Sequence, residues 1–257
     1  MTEKIIKLEN NSKIIRATAI KMAVDAKESH LSSALSCTDI LNVLFAEHLE
    51  FPNGGLNANP DRNRFIMSKG HACSSLYAVM ALYGVIPVSM LKTYATTDSP
   101  LPNHPCKHAL PKLEISSGSL GHGLGIAAGM LYGLRMDGKY KPRVFVLMSD
   151  GECNEGSVWE AAMFAAANKL GNLIAIVDNN GTQAVGRCDE LMGHTCLEEK
   201  FKSFGWEAVT ISGNSTGKLL DTLDSMPLSK TKPSAIIAKT VAGAGVSFIE
   251  NKQEWFY

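Results

Sequence analysis

The sequence predicts an α/β fold: a doubly wound, mostly parallel sheet with helices on both faces. Two apolar runs, residues 143–148 and 173–177, lack polar alternation and are typical of strands buried on both faces. Helical segments lie between such runs, in the strand–helix–strand order of βαβ units. The chain of 257 residues has no internal repeat and no linker rich in proline, glycine or serine. We therefore expect residues 1–257 to form a single domain.

The first part of the chain is predicted to be mainly helical. Residues 11–27 carry an apolar stripe at helical spacing, formed by Ile14, Ile15, Ala19, Met22 and Ala23. A second helix is expected over residues 36–50 and a third over residues 74–83. Residues 51–63 are predicted to form a loop, and residues 87–113, which contain five prolines, are predicted to be mostly irregular.

From residue 118 onward, helices and strands alternate. The predicted helices cover residues 121–135, 155–169 and 217–225. The predicted strands cover residues 143–148, 173–177, 207–211 and 235–239. In sheets of this kind, ligands bind beyond the carboxyl ends of the strands. The residues that follow the two most apolar strands are therefore the first candidates for a site.

Polar residues follow both of these strands. Asp150 comes after the first strand, and Asn180 comes after the next one, 30 residues later. Either residue alone is most simply a turn residue. Together, at the spacing of one βαβ unit, they favour a magnesium site, because Mg²⁺ prefers oxygen ligands and takes several of them from phosphate and water. Gly151 leaves its backbone N–H open to a phosphate near the start of the following helix.

Composition and charge narrow the class of protein. The formal net charge is zero, which favours neither nucleic acid nor an anionic membrane as a partner. No apolar stretch reaches the length that spans a bilayer, and the first residues lack the apolar core of a signal peptide. The six cysteines are scattered without a C-x-x-C pair, which indicates free thiols rather than a zinc site. We therefore expect a cytoplasmic protein.

The strand ends lie within segments that resemble a known family. The residues Asp150-Gly151 and Asn179-Asn180 are similar to the thiamine-diphosphate signature, although Ser149 stands where a glycine is usual. Nearly the whole chain looks like the amino-terminal, diphosphate-binding half of transketolases. Four segments carry this resemblance in the expected order: "DRNRFIMSKGHACSSLYAVMALYG" (61–84), "EISSGSLGHGLGIAAGM" (114–130), "SDGECNEGSVWEAAMFAAANKLGNLIAIVDNNGTQ" (149–183) and "KTVAGAGVSFIENKQEW" (239–255).

The resemblance implies a cofactor and the residues that hold it. Asp150, Asn180 and a main-chain oxygen of Thr182 would bind Mg²⁺, which in turn holds the diphosphate of thiamine diphosphate. The backbone N–H of Gly151 would donate to a phosphate oxygen. Three further positions match residues near the cofactor: Gly118 and Leu120 beside its rings, and Glu155 at a subunit interface.

The resemblance also assigns catalytic histidines. His71 would lie near the diphosphate and the reacting centre, and His104 and His30 would contact substrate hydroxyls and assist proton transfer. Imidazole suits this role because it gains and loses a proton near neutral pH. The alternative is that these side chains are hydrogen-bonded bystanders, and for His30 the two interpretations are close to even. The remaining histidines are expected to be structural, except that His122 lies on the helix entering the cofactor site: His48, His108, His122 and His194.

The implied activity is ketol transfer, in which a two-carbon unit passes from a ketose donor to an aldehyde acceptor. The family activates its cofactor with a glutamate from a second, pyrimidine-binding domain that this sequence does not contain. The expected partner is therefore a transketolase-like subunit that carries this domain, in a heterotetramer of two such pairs.

Several departures from the family pattern favour a specialised sugar or sugar-like substrate. They are the segment "ESHLSSA" (28–34), "AGAG" (242–245), Ser149 and Phe256. Three alternatives remain open at this point. They are another thiamine-diphosphate-dependent C–C lyase or acyl transferase, a structural or regulatory subunit without catalysis, and, most distantly, a nucleotide-binding α/β protein.

Overall fold

Five parallel strands form the central sheet of the computed structural model, which describes residues 1–53 and 55–255. The strand order is β1–β2–β3–β7–β6, and a separate two-stranded hairpin is formed by β4 and β5. The strand bounds are Arg64–Met67 (β1), Val144–Ser149 (β2), Leu173–Asn179 (β3), Thr182–Gln183 (β4), Gly186–Arg187 (β5), Glu207–Ser212 (β6) and Ser234–Lys239 (β7). The doubly wound α/β fold predicted from the sequence is confirmed.

Nine α-helices surround the sheet in the described residues. Their bounds are Thr2–Ala26 (α1), Leu31–Ser36 (α2), Thr38–Glu47 (α3), Cys73–Leu82 (α4), Gly123–Met136 (α5), Gly156–Ala167 (α6), Cys188–Met192 (α7), Leu197–Ser203 (α8) and Thr216–Asp224 (α9). Short 3-10 helices cover Leu56–Ala58, Gly70–Ala72, Val88–Thr93, Gly151–Asn154 and Gln253–Trp255. Within the described ranges, no helix is long and apolar enough to cross a membrane.

The two central strands, β2 and β3, fill the core on both faces of the sheet. Phe145 and Leu147 pack in the cluster that contains α1, α3 and α4, whereas Val146 and Met148 pack in the cluster of α5 and α6. This division explains why the strands are apolar at every position and not at alternate ones. Ser149 pairs in register with Asp178, so β2 and β3 end at the same edge of the sheet.

Some elements differ from the sequence prediction. Helix α1 begins at Thr2 and not near residue 11, because Leu8 continues the buried face that the apolar stripe defines. Strand β1 was not predicted, since it has only four residues and half of them are partly exposed at the edge of the sheet. The predicted helix 36–50 is two helices, α2 and α3, which meet at Cys37. The short helices α7 and α8 and the hairpin β4–β5 were also not predicted.

Candidate active site

Asp150 joins the ends of the two central strands. Its Oδ1 accepts a hydrogen bond from the backbone N–H of Gly151 at 2.9 Å, and its Oδ2 accepts one from Gly181 at 2.7 Å. The first residue follows β2 and the second follows β3, so one carboxylate spans both strand ends. The predicted proximity of Asp150 and Asn180 is therefore found in the structure.

Asn180 is buried beside this carboxylate. Its Oδ1 accepts a hydrogen bond from the backbone N–H of Thr182 at 2.9 Å, and its Nδ2 donates to Ser36 Oγ at 3.2 Å. The three residues expected to bind Mg²⁺ thus lie in one turn and the strand end next to it. That they bind the metal remains a prediction.

The surroundings of Asp150 fit a bound cation. The residue is only 6 % exposed, and among the described residues its carboxylate forms no ion pair with Lys, Arg or His. Burial raises its pKa to about 6, which reflects the cost of a charge that lacks a close counterion. No group of three or more His, Cys, Asp or Glu side chains in the described ranges could hold a metal. The arrangement therefore suits Mg²⁺, which uses few protein ligands, and not zinc.

A buried ion pair supports the strand ends from below. Lys69 and Asp178 are both fully buried and paired, and Asp178 also accepts hydrogen bonds from Ser36 Oγ at 2.5 Å and from Thr240. Burial alone would lower the pKa of Lys69, but the adjacent carboxylate outweighs it and the pKa is raised. The sequence prediction did not include this pair. Its one signal was an acidic residue, Asp178, at the end of an otherwise apolar strand.

Ser149 has a structural role where the family usually has glycine. Its Oγ accepts a hydrogen bond from the backbone N–H of Glu152 at 3.1 Å, and Glu152 Oε2 accepts one from the backbone N–H of Ser149 at 3.4 Å. This reciprocal pair is a capping box at the start of the 3-10 helix Gly151–Asn154. The pattern Ser-x-x-Glu was visible in the sequence, yet Glu152 was not singled out.

Glu152 also holds the glycine loop that precedes α5. Its Oε1 accepts hydrogen bonds from the backbone N–H of Gly121 at 2.9 Å and from Ser68 Oγ. Burial raises the pKa of Glu152, and its three hydrogen-bond donors oppose this effect. The carboxylate therefore fastens the loop that contains Gly118 and Leu120 to the end of β2.

Close packing explains the glycines of this loop. A Cβ on Gly118 would lie 3.2 Å from His104 Cδ2, and a Cβ on Gly121 would lie 2.8 Å from Glu155 Cβ. The backbone thus passes directly against two of the predicted site residues. Leu120, also predicted to contact the cofactor, is half-buried between these glycines, while Glu155 is exposed beside the loop.

Gly151 is covered in this structure. Its N–H donates to Asp150, and a Cβ added to it would lie 2.8 Å from Gln183 Cγ. Gln253 Nε2 donates to the carbonyl of Gln183 at 2.7 Å, which ties the hairpin β4–β5 to the carboxyl-terminal segment. A phosphate at the predicted position would have to take the place of the Gln183 side chain.

The three predicted histidines form one cluster. The ring of His30 lies 5.4 Å from that of His71 and 6.0 Å from that of His104, measured between centroids. They come from three separate segments: the start of α2, the turn before α4, and the irregular region near Pro105. Burial lowers the pKa of each imidazole, and the pKa of His71 lies well below its usual value. Neutral imidazoles, each with one donor and one acceptor, therefore face one another near pH 7.

Two cavities flank these residues. One of about 210 Å³ is lined by Asp150, Gly181, Arg187, Cys188 and His194, so His194 lies closer to the strand ends than expected. The other, of about 340 Å³, is lined by residues of the glycine loop and by His122. His48 is buried, with Nε2 3.5 Å from Asp224, and His108 is exposed, which agrees with structural roles for both. Phe256, one of the departures noted above, lies outside the described residues.

The fold and these residues define the class of protein. Residues 8–255 match the family described as "Transketolase, thiamine diphosphate binding domain". The chain belongs to this family, and the resemblance predicted from its sequence is confirmed.

Individual relatives agree with this assignment. One named subunit of the apulose-4-phosphate transketolase of Actinobacillus succinogenes is 39 % identical over 251 residues, covering 97 % of this chain and 90 % of that protein. The 6-deoxy-6-sulfo-D-fructose transketolase subunit SqwG of a Clostridium species is 33 % identical, with 98 % and 91 % covered. The crystal structure of Campylobacter jejuni transketolase superposes with a TM-score of 0.87 at 28 % identity, covering 96 % of this chain and 39 % of that one.

Proposed function

We propose that this protein is the diphosphate-binding subunit of a two-subunit transketolase that uses thiamine diphosphate and Mg²⁺. Residues 1–257 would form one cofactor-binding domain, and a transketolase-like partner subunit would supply the pyrimidine-binding domain with the activating glutamate. The single observation that carries the proposal is the junction of two sets of side chains. The buried oxygen ligands at the ends of β2 and β3 are connected through α2 to the cluster of three histidines.

The metal site would use oxygens that the structure already brings together. The Asp150 carboxylate has about four lone-pair sites and uses two of them for backbone N–H groups, so a cation can still bind. The amide oxygen of Asn180 and the carbonyl oxygen of Thr182 would complete the protein ligands. A cation there would offset the burial of the Asp150 charge, which no side chain offsets at close range in the described structure.

The histidine cluster would handle substrate protons. When bound, the cofactor supplies a nucleophilic thiazolium carbon that carries the two-carbon unit. His104 and His30 would orient substrate hydroxyls and transfer protons, since their lowered pKa values leave them neutral and able to donate or accept. His71, behind them and more deeply buried, would lie between the substrate side and the diphosphate side.

An exposed apolar surface on α5 and α6 suits the partner subunit. Five large apolar side chains on these helices are 41–76 % exposed: Ile126, Tyr132, Met136, Met163 and Phe164. Gly129 and Gly133 on α5 have open space where a side chain would be, so a partner backbone can approach closely. Glu155 lies exposed at the start of α6, in accord with a position at the subunit interface. We propose a heterotetramer built through this surface.

The substrate would be a sugar or sugar-like aldehyde and a ketose donor. Two relatives that this chain covers over about nine-tenths of their length are named as subunits of transketolases for apulose 4-phosphate and for 6-deoxy-6-sulfo-D-fructose. Specialised sugars are therefore the substrate class that we propose. All six cysteines are free thiols, which supports a cytoplasmic location.

Reconstitution tests the proposed function. The chain alone, and the chain mixed with its pyrimidine-binding partner, would be assayed with thiamine diphosphate and Mg²⁺ on a panel of ketoses and aldehydes. The panel would include phosphorylated and unphosphorylated sugars. We expect two-carbon transfer only in the mixture and only with both cofactors. A mixture that binds thiamine diphosphate but transfers no ketol group to any acceptor would leave a non-catalytic subunit as the better description.

A further inference from the structure

The short helix α2 carries two adjacent buried serines with different surroundings. Ser32 and Ser33 are each 1 % exposed. Ser33 Oγ lies 2.8 Å from His71 Nε2, a hydrogen bond in which the tautomer decides the donor. The hydroxyl of Ser32 has no hydrogen-bond partner within the described part of the chain. The hydroxyl of Ser33 therefore has a specific contact that its neighbour lacks.

The backbone of Ser33 is anchored to the strand ends. Its carbonyl accepts hydrogen bonds from Lys69 Nζ at 3.1 Å and from Ser36 Oγ at 2.9 Å. The same lysine pairs with Asp178, and the hydroxyl of Ser36 contacts both Asp178 and Asn180. Ser33 thus connects the catalytic histidine cluster to the buried support of the proposed metal site. Its side chain and its carbonyl bind on opposite sides of this connection.

We propose that Ser33 is a positioning residue that fixes the ring orientation and tautomer of His71. The inference rests on the proposed function, because it assigns Ser33 a role only through His71. A serine hydroxyl can restrict the ring in this way because it can donate to a neutral imidazole nitrogen or accept from it. With the carbonyl of Ser33 held by Lys69, the hydroxyl has a fixed origin. Ring rotation of His71 would then break the hydrogen bond.

Activity of the two-subunit enzyme tests this role. Ser33→Ala removes the hydroxyl that contacts His71, and Ser32→Ala is the matched control, since it removes an equally buried hydroxyl one residue away. We expect kcat to fall about 3- to 10-fold in Ser33→Ala with little change in KM, the loss of one neutral hydrogen bond. Ser32→Ala should keep wild-type kcat. Thermal melting of both variants would show that neither is unfolded.

Nuclear magnetic resonance separates this inference from the proposed function. In the full-length chain labelled with ¹⁵N-histidine, the His71 signals are identified by their loss in His71→Asn. We expect one tautomer of His71 in the wild type and in Ser32→Ala, and averaged tautomers in Ser33→Ala. Unchanged His71 signals in Ser33→Ala would overturn the positioning role even if the enzyme is active. Changed signals in an inactive complex would support the contact and refute the ketol-transfer function instead.

Discussion

The strand ends and the histidine cluster are built in opposite ways. Asp150 and Asn180 follow adjacent strands of a buried parallel sheet, and the register of β2 with β3 sets their separation. His30, His71 and His104 come from three segments that are far apart in the sequence and lie on loops or short helices. His30 even adopts the left-handed backbone conformation, with φ of 65°, which is uncommon outside glycine and asparagine.

This difference separates the tasks of the two regions. A sheet edge can hold a charged group in a fixed place, as a metal and diphosphate require. Loops can change in sequence without disturbing the core, as substrate recognition requires. We therefore expect family members to share the strand-end region more closely than the histidine loops. Substitutions should likewise affect cofactor binding at the first region and turnover at the second.

The largest effect is expected at the histidine cluster. His104→Ala should lower kcat by about 10²- to 10⁴-fold, the usual contribution of a proton-transferring side chain, while cofactor affinity changes little. His108→Ala is the control, because this exposed residue four positions later has no assigned role. Steady-state kinetics and cofactor titration of both variants measure the two effects. A loss below about fivefold in His104→Ala would remove this residue from the proposed mechanism.

A large loss of stability is expected beneath the strand ends. Lys69→Met leaves the Asp178 carboxylate buried without its counterion and should lower the free energy of unfolding by about 3–5 kcal/mol. Lys21→Met breaks an exposed pair with Asp25 and should change stability little. Urea denaturation compares the two variants. Equal stability of Lys69→Met and wild type would show that this ion pair does not hold the strand ends.

At the metal ligands, cofactor affinity should fall more than turnover. Asp150→Ala should weaken thiamine diphosphate binding in the presence of Mg²⁺ by about 100-fold or more, since changes next to metal ligands alone cost about 10- to 100-fold. The exposed acid Asp221 on α9 provides the control variant Asp221→Ala. Isothermal titration calorimetry on the two-subunit complex measures the affinities. Wild-type affinity in Asp150→Ala would rule out the assigned metal site.

A smaller, pH-dependent effect is expected from the same carboxylate in the cofactor-free chain. Burial raises the pKa of Asp150 from the usual 3.8 to about 6, so between these pH values the folded protein binds the proton more tightly than the unfolded chain. The free energy of unfolding of wild type, relative to Asp150→Asn, should fall by the order of 2 kcal/mol as pH rises from about 4 to about 6. Above about pH 6 the difference should stay constant. Urea denaturation across this range measures it, and a difference that is flat from pH 4 to 7 would show that the pKa is not raised.

The strand-end region was largely predictable from the sequence. Continuous apolar runs at residues 143–148 and 173–177 identify the central strands, and parallel connection brings the residues after them together. The proximity of Asp150 and Asn180 follows from these two facts. The support beneath them did not follow, because an ion pair between Lys69 and Asp178 joins residues 109 positions apart.

The histidine cluster could not be derived from periodicity or spacing. Its members come together through the path of the irregular segment 87–121 and the short helix α2, which apolar patterns do not define. Only the resemblance to transketolases identified His71 and His104 in advance. The roles of Ser149 and Glu152 were equally hidden, although their Ser-x-x-Glu spacing is a recognised capping pattern.

The central claim is that the strand ends and the histidine cluster form one cofactor site. A crystal structure of the two-subunit complex with thiamine diphosphate and Mn²⁺ in place of Mg²⁺ tests it most directly. We predict an anomalous peak bound by Asp150, Asn180 and the carbonyl of Thr182, with the thiazolium ring directed toward His30, His71 and His104. A metal peak away from Asp150 and Asn180, or a cofactor whose thiazolium ring lies outside the histidine cluster, would contradict it.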